Sequence, residues 1–314
     1  MQGHESRGSR QTLAMVPMHP SSADLPASLA ARNRAQVRTG ERFAFGRNWR
    51  HFLARLNESR IAEAERSLCA KLHVGDLRGK SFLDVGAGSG LFSLAAARRG
   101  AARVHSFDFD PECVACTTEL KRRYAPTWAP WTIECGDILS QDYLSRLGQF
   151  EVVYSWGVLH QTGDLWQALE NVGTLVAPQG WLFISIYNHQ PLRTPFWRVV
   201  KRTYNRLPRG CRWPWVAGYL ALKTPLLSAR DLLLGRNPWH AFRGAGRRGM
   251  TLYCDAVDWI GGYPHETATP EAIFRFFRDR RFQLVELSTV NGGSGCNEFV
   301  FRRQDARPPC AFST

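Results

Sequence analysis

The stretch Phe82-Leu83-Asp84-Val85-Gly86-Ala87-Gly88-Ser89-Gly90 begins with apolar residues and ends with three glycines at alternate positions. Residues 81–85 predict a short buried strand, and residues 91–99 predict a helix closed by Gly100. Glycine is used where a backbone turns sharply or approaches a ligand closely. Because the free N–H groups at the start of a helix favour a negative group, the pattern predicts a loop that holds a small polar or anionic ligand.

The spacing of the glycines separates this loop from two common nucleotide-binding loops. The dinucleotide fingerprint G-x-G-x-x-G would place its third glycine where Leu91 stands, and no Gly-Lys-Ser/Thr of a P-loop follows. Asp84 at the end of the strand would repel a pyrophosphate, but it can accept hydrogen bonds from an ammonium-bearing ligand. A tight turn with a purely structural role in another α/β fold stays open at this point.

Length, composition and charge limit the classes of protein. The chain has 314 residues, 44% of them hydrophobic, a net charge of +14 and a pI of about 9.9. This length favours about two domains or one domain with a large insertion, and the charge favours an anionic partner or surface. The sequence contains no run of about 18 or more apolar residues, so it predicts no transmembrane helix. Eight scattered cysteines indicate a reduced, cytoplasmic setting rather than a disulfide framework.

Alternating strand and helix patterns from Gly79 onward predict an α/β domain. Seven strand-like segments with short connections indicate a Rossmann-like, doubly wound and mostly parallel seven-stranded sheet with an antiparallel C-terminal strand. The predicted units are a mobile N-terminal arm (1–40), N-terminal helices (41–78), the Rossmann-like domain (79–188 and 251–303), a basic aromatic-rich insertion (189–250) and a flexible tail (304–314). Within the N-terminal helices, Phe45 and Trp49 either only pack on the domain or close over a bound cofactor.

Three acidic residues stand at the predicted carboxyl ends of neighbouring strands, where open α/β sheets bind their ligands. Asp84 ends the first strand. Asp108 ends the second, twenty positions after Gly88, where a carboxylate can hold both ribose hydroxyls of a nucleoside and Phe109 can cover an adenine face. Asp137 follows the third strand and can accept a hydrogen bond from an adenine amino group, beside Ile138.

These motifs resemble those of class I S-adenosylmethionine-dependent methyltransferases in order and spacing. The resemblance covers about residues 80–188 and includes the D-x-G-x-G-x-G loop, Asp108, Gly136-Asp137 and the run 155–160 after strand four. A weaker likeness relates residues 49–68 to quinone-biosynthesis O-methyltransferases. The family implies S-adenosylmethionine as cofactor, and it places the following residues around it: Asp84, Gly86, Gly88 and Gly90 at the methionyl part, Asp108 and Phe109 at the nucleoside, Asp137 and Ile138 at the adenine, and Ser155 and Trp156 after strand four.

Two histidines are candidate catalytic residues. His160 follows strand four, where the family exposes residues to the transferred methyl group, and a neutral imidazole can take a proton from an acceptor hydroxyl near neutral pH. A helix-start histidine that bonds to the backbone explains His160 equally well. His189 follows strand five on the same edge. Cys113 and Cys116 have metal-ligand spacing but no second pair, so the sequence predicts no metal site.

Three classes of function fit the sequence to different degrees. The prediction is a methyltransferase that acts on a small or lipid-like acceptor, at a hydroxyl. A nucleic acid or protein acceptor stays open, although Ser155-Trp156-Gly157 stands where amino-methyltransferases carry Asn-Pro-Pro-Tyr. An NAD(P) oxidoreductase is disfavoured by Asp84 and Leu91. A non-catalytic S-adenosylmethionine-binding protein is disfavoured by the presence of all three acids.

The predicted insertion concentrates the positive charge of the chain. Residues 189–250 contain thirteen Lys and Arg residues against Asp231 alone, a net charge of +12, together with several tryptophans. Pro208, Pro214, Pro225 and Pro238 predict a series of short helices. Basic residues interleaved with Trp and Leu favour a lid over an anionic amphiphile or an interfacial membrane patch. Binding of a nucleic acid backbone and a plain solvated cap both stay open.

Overall fold

The structure is a computed structural model that describes residues 24–235, 237 and 252–305. The strands of its sheet are β1 Ser81–Val85, β2 Arg103–Asp108, β3 Trp131–Cys135, β4 Phe150–Trp156, β5 Val176–Tyr187, β6 Phe282–Ser288 and β7 Cys296–Arg303. The α-helices are α1 Asp24–Thr39, α2 Phe45–Leu53, α3 Glu58–Leu72, α4 Leu91–Arg98, α5 Pro111–Tyr124, α6 Gln141–Leu144, α7 Leu165–Thr174, α8 Arg193–Arg206, α9 Trp213–Leu233, α10 Leu252–Gly261 and α11 Pro270–Arg278.

The sheet has the order β3-β2-β1-β4-β5-β7-β6. Neighbouring strands from β3 to β5 are parallel, and β7 is antiparallel to both β5 and β6. The predicted Rossmann-like sheet with an antiparallel C-terminal strand is therefore confirmed. The strand order reverses between β1 and β4, and open α/β sheets bind ligands at the carboxyl ends of the strands beside this reversal.

Apolar side chains from both faces of the sheet form two large cores. One core packs α6, α7 and α11 against the sheet, and the other packs α2, α3, α4 and α5 against the opposite face. All five residues of β1 are buried, as expected for a central strand that is covered on both faces. Two of the helices begin at acidic caps, since the Asp110 carboxylate accepts from the Glu112 N–H and that of Asp164 from the Gln167 N–H.

One strand begins earlier than its sequence suggests. Strand β5 begins at Val176 although Pro178-Gln179-Gly180 favours a turn, because this run forms a bulge within the strand. Its pairing with β4 shifts between Phe150 and Val152, and Gln179 has a φ of 57°. A bulge of this kind adds residues to one strand without ending it.

The N-terminal arm is not wholly mobile, contrary to the prediction for residues 1–40. Residues 24–39 form α1, where Leu29 and Asn33 are buried at 6% and 5% exposure. The Ala- and Arg-rich composition taken as a sign of disorder is also that of a good helix former. Residues 1–23 of the predicted arm and residues 306–314 of the predicted tail lie outside the described part.

The insertion contains longer helices than its prolines predicted. Helix α9 has 21 residues and runs through Pro225, while Pro214 lies in its first turn, where the missing N–H disturbs nothing. Pro238 lies outside the described residues. The insertion packs on the domain through a third apolar cluster: Phe43, Tyr204, Val216, Ala256 and Ile260. Within the described ranges, no helix is both long and apolar enough to cross a membrane.

Candidate active site

The glycine loop between β1 and α4 forms the floor of a deep cleft. Gly86 and Gly88 have φ values of 76° and 58°, a left-handed conformation that only glycine adopts without cost. A Cβ atom at Gly88 would lie 2.8 Å from the Trp49 indole nitrogen, so the tryptophan of α2 packs directly over the loop. Close packing against the loop therefore explains why glycine stands at this position.

Helix α2 is held above the loop by the start of α5. The Asp110 carboxylate accepts the Gly46 N–H at 3.0 Å as well as the Glu112 N–H at 2.9 Å. On the other side, the Asn48 amide donates to Asp258 of α10 at 2.6 Å. Trp49 and Phe45 both line the cleft from this anchored helix.

Two carboxylates face the cleft beside the glycine loop, Asp84 buried at 2% exposure and Asp108 partly exposed. Asp84 accepts a hydrogen bond from the Ser93 hydroxyl, and burial, with the charge of Asp108 nearby, raises the pKa of Asp84 to about 7. Asp108 accepts the N–H groups of Gly88 and Asp110, each at 2.9 Å, while burial raises its pKa to about 6. A ligand that brings a positive charge or hydroxyl donors would stabilise the charged form of both carboxylates.

The predicted adenine side of the cleft lies at the end of β3. Asp137 accepts the Leu139 N–H at 2.9 Å and forms an ion pair with Arg32 of α1, also at 2.9 Å. Ile138 is buried and lines the cleft, as does Phe109. The Arg42 guanidinium lies 4.4 Å from the centre of the Phe109 ring, a cation–π distance.

Helix α1 adds cleft residues that the sequence analysis missed. Asn33 lines the cleft, and its amide nitrogen is buried without a hydrogen-bond partner among the described residues. Arg42, just after α1, has a pKa lowered by burial. No spacing motif marks these residues, because they reach the cleft only through the packing of α1 near β3.

The two residues predicted to follow strand four are the last two residues of β4, and they have different positions. Trp156 lines the cleft, and its indole N–H donates to Glu298 at 2.9 Å. Ser155, predicted to bind the cofactor, does not line the cleft; its hydroxyl donates to the Val85 carbonyl at 3.1 Å. Successive side chains of a strand point to opposite faces, so the two neighbours cannot both face the ligand from one side.

His160 lines the cleft from a short 3₁₀ helix, Leu159–Gln161. The side chain is 1% exposed, and neither ring nitrogen bonds to another side chain among the described residues. Burial, with His265 and Lys201 nearby, holds the pKa of His160 well below its ordinary value, and a hydrogen bond with the backbone of Ser185 opposes this effect only in part. Its ring centre lies 3.9 Å from that of Tyr187, which also lines the cleft.

His189, the second catalytic candidate, does not line the cleft. It is exposed, and its Nδ1 lies 3.0 Å from the Thr267 hydroxyl. Strand β5 ends at Tyr187, and the following backbone bonds to Ala268, which directs the chain away from the cleft. Tyr187, the last residue of the strand, takes the position predicted for His189.

The cleft is one continuous space of about 680 Å³. It extends from Asp137, past the glycine loop, to Tyr187 and Trp259. This volume lies in the range typical of cofactor and small-molecule sites. Among the described residues, no group of His, Cys, Asp and Glu side chains is arranged to hold a metal ion, and Cys113 and Cys116 are both buried in α5.

A protein-family model described as a methyltransferase domain matches residues 47–250 of this chain. Its span includes the glycine loop, all three acids and His160. The chain belongs to this family, and its sheet and cleft are those of a class I S-adenosylmethionine-dependent methyltransferase. S-adenosylmethionine is accordingly the cofactor, and the residues present fit it. The Asp84 carboxylate beside the glycine loop could accept hydrogen bonds from the ammonium group of the cofactor. The Asp108 carboxylate could accept hydrogen bonds from its ribose hydroxyls.

Curated relatives share parts of the chain. The chain is 48% identical over 58 residues to a ribosomal protein L11 methyltransferase of Methylococcus capsulatus, a match that covers 18% of this chain and 20% of the relative. It is 33% identical over 138 residues to a ubiquinone biosynthesis O-methyltransferase of Pseudomonas paraeruginosa, covering 43% and 56% of the two chains. The chain thus spans between a fifth and about half of the length of these relatives.

A third relative and one solved structure extend the range of likenesses. A tRNA U34 carboxymethyltransferase of Alcanivorax borkumensis is 35% identical over 107 residues, covering 33% of this chain and 32% of the relative. The crystal structure of magnesium protoporphyrin IX methyltransferase from Synechocystis PCC 6803 with bound SAH is 13% identical. Its TM-score is 0.47, and the match covers 90% of this chain and all of that chain.

Proposed function

We propose that this protein transfers the methyl group of S-adenosylmethionine to a hydroxyl of a small or lipid-like acceptor. The observation that carries the proposal is the continuous cleft that joins the glycine loop to a chamber with a buried histidine, His160, whose ring bonds to no other side chain among the described residues. A site that only stored the cofactor would need no such chamber. When bound, S-adenosylmethionine supplies an electrophilic methyl group on its sulfonium.

The residues of the chain act mainly by positioning. In-line displacement requires the acceptor oxygen, the methyl carbon and the sulfur to lie on one line, and holding reactants in such a geometry lowers the barrier substantially. Asp84 and Asp108 fix one end of the cofactor, and Trp49 packs over the glycine loop. Tyr187 and Trp259 form the walls against which the acceptor rests.

His160 acts as the proton acceptor for the hydroxyl. Its lowered pKa keeps the ring neutral near neutral pH, so a nitrogen lone pair is available to accept the proton. A weakly basic imidazole suffices, because the acceptor oxygen becomes strongly acidic as its bond to the methyl carbon forms. The proton then moves from that oxygen to a ring nitrogen of His160.

The walls of the chamber favour an apolar or aromatic acceptor. Trp156, Phe183, Tyr187 and Trp259 line the cleft beyond the glycine loop, and such rings bind planar and apolar groups well. The relatives named for ubiquinone biosynthesis O-methylation support this class of acceptor. We place the protein in the cytoplasm, with peripheral contact to an anionic membrane as the source of a lipid-like acceptor.

A protein or nucleic acid acceptor is the second candidate. It is favoured by the net charge of +14 and by the relatives named as ribosomal protein L11 and tRNA-modifying enzymes. Transfer of radiolabelled methyl groups from the cofactor into a cell extract, followed by separation into lipid, small-molecule, RNA and protein fractions, distinguishes the two candidates. Label in lipids or small molecules supports the proposal, label in RNA or protein favours the second candidate, and no label in any fraction favours a non-catalytic binding protein.

The role of His160 is tested with a matched histidine as control. His160→Ala should lower the turnover number by about 10²–10⁴-fold, the usual contribution of a general base, with little effect on S-adenosylhomocysteine binding. His189→Ala removes a histidine outside the cleft and should leave turnover unchanged. Equal turnover of both variants would show that His160 does not accept the proton.

A further inference from the structure

The outer face of helix α9 has no charged residue along its first thirteen positions. The exposed residues there are Trp213, Pro214, Trp215, Ala217, Gly218, Ala221, Leu222 and Pro225. We call this set the α9 apolar face. Lys223 is the one charged residue between positions 213 and 229, and its ammonium lies 5.1 Å from the Tyr219 ring rather than on this face.

Exposed large apolar side chains concentrate around this face. Of the thirteen such side chains in the described residues, ten lie between positions 192 and 253, and Trp213 and Leu222 are 65% and 73% exposed. The neighbouring helix α8 contributes Phe196 and Val199, at 60% and 65%. Monomeric soluble proteins rarely expose such a concentration unless the surface has a partner.

Basic residues are frequent in the segment of the chain that contains the α9 apolar face. The segment 189–250 has thirteen basic residues and a single acid, and Arg193, Arg202 and Arg206 of α8 are exposed. The partner must therefore offer an apolar region to Trp and Leu side chains and negative charge to the arginines at the same time.

We infer that this surface docks on an anionic lipid bilayer, with α9 lying in the plane of the interface. Trp, Leu and Phe side chains enter the boundary between headgroups and acyl chains, and arginines pair with anionic headgroups in such a geometry. A second copy of the chain is a poor partner, since it carries the same positive charge. A nucleic acid satisfies the arginines but leaves Leu222, Phe196 and Val199 in water.

The docking surface is continuous with the acceptor end of the cleft. Helix α8 buries Lys201 completely, and the Lys201 ammonium donates to the carbonyl of Trp259 in α10. Trp259 in turn lines the cleft. Docking through α8 and α9 therefore places the acceptor end of the cleft beside the membrane. The functional meaning of this link rests on the proposed lipid-like acceptor, whereas the docking inference is independent of that acceptor.

The test is sedimentation of the intact protein with vesicles, without cofactor, so that its outcome is independent of methyl transfer. Vesicles of equal parts phosphatidylglycerol and phosphatidylcholine should bind the protein, pure phosphatidylcholine vesicles should bind it much more weakly, and salt should weaken the binding by screening. Tryptophan fluorescence should shift to shorter wavelength on binding, because indole rings leave water.

A matched pair of variants locates the surface. Trp213→Asp with Leu222→Asp should lower vesicle affinity by roughly tenfold or more, since two inserting side chains are replaced by acids. Trp166→Asp with Leu287→Asp makes the same replacements at side chains that are 45% and 41% exposed outside the surface, and it should keep wild-type affinity. Circular dichroism establishes that both variants fold.

Four results would overturn the inference. They are failure to bind anionic vesicles, equal binding to neutral and anionic vesicles, equal loss in both variants, and binding to single-stranded RNA in place of vesicles. Failure to bind vesicles would leave the methyl-transfer proposal standing, because methyl transfer is measured separately in a cell extract. Conversely, vesicle binding by a protein that transfers no methyl group would support the docking surface alone.

Discussion

At the scale of single residues, Asp84 and Asp108 make cofactor binding depend on pH. Their pKa values are raised from 3.8 to about 7 and about 6, mainly by burial. In the free protein they bind protons more tightly than in the unfolded chain, so their contribution to stability falls as pH rises from about 4 to about 7. A cofactor that brings an ammonium group and hydroxyl donors favours the charged carboxylates and reverses this trend.

We therefore expect S-adenosylhomocysteine affinity to increase from about pH 5 to about pH 8, with protons released on binding at the lower pH. Calorimetry in two buffers with different ionisation enthalpies measures both quantities. Asp108→Asn removes one of the two titrating groups and should flatten the dependence in part. An affinity that stays constant over this range would mean that these carboxyls do not meet the cofactor in their charged form.

At the scale of helices and strands, the sequence predicts an element best where a clear local pattern, such as an apolar run ended by glycine, marks its bounds. Strand β1 has the predicted bounds, since it is a short apolar run ended by glycine. The position of a side chain relative to the cleft was harder to predict. Ser155 and His189 were both placed after predicted strands, but neither lines the cleft. The alternation of side chains along β4 directs Ser155 away from the cleft, and the bend of the chain after β5 directs His189 away from it.

Helices α1 and α9 show two further limits of prediction from sequence. Asn33 lines the cleft and Arg32 pairs with Asp137 because α1 packs near β3, a tertiary contact that no local pattern reveals. Helix α9 continues through Pro225 although proline is a strong helix breaker. Packing of this helix on the third apolar cluster, through Val216, offsets the unfavourable local preference.

The proline inside α9 gives a prediction about stability. Pro225→Ala restores a backbone N–H in the helix interior and removes a ring that crowds the preceding turn, so we expect the free energy of unfolding to rise by about 1–3 kcal/mol. Pro214→Ala, in the first turn of the same helix, should change it little. Urea unfolding of both variants is the measurement, and no difference between them would contradict a continuous α9.

At the scale of the whole molecule, the cofactor cleft and the proposed docking surface involve different helices. The cleft is covered by α1, the linker after it and α2, which line it through Asn33, Arg42 and Trp49. The proposed docking surface lies on α8 and α9, and the contact of Lys201 with Trp259 joins it to the acceptor end of the cleft. Cofactor binding and membrane docking should therefore protect different segments from local unfolding.

Hydrogen exchange measured by mass spectrometry tests this separation. A ligand at about 100 times its dissociation constant adds about 2.7 kcal/mol to openings that release it, so amides that exchange through such openings should slow by roughly 100-fold. With S-adenosylhomocysteine we expect this slowing in α1, α2 and the glycine loop, and no change in α9. With anionic vesicles we expect the reverse pattern. Asp108→Ala should lose the first pattern and keep the second, whereas slowing of α9 by the cofactor, or unchanged exchange in α1, would contradict the division of the molecule into a cofactor roof and a docking surface.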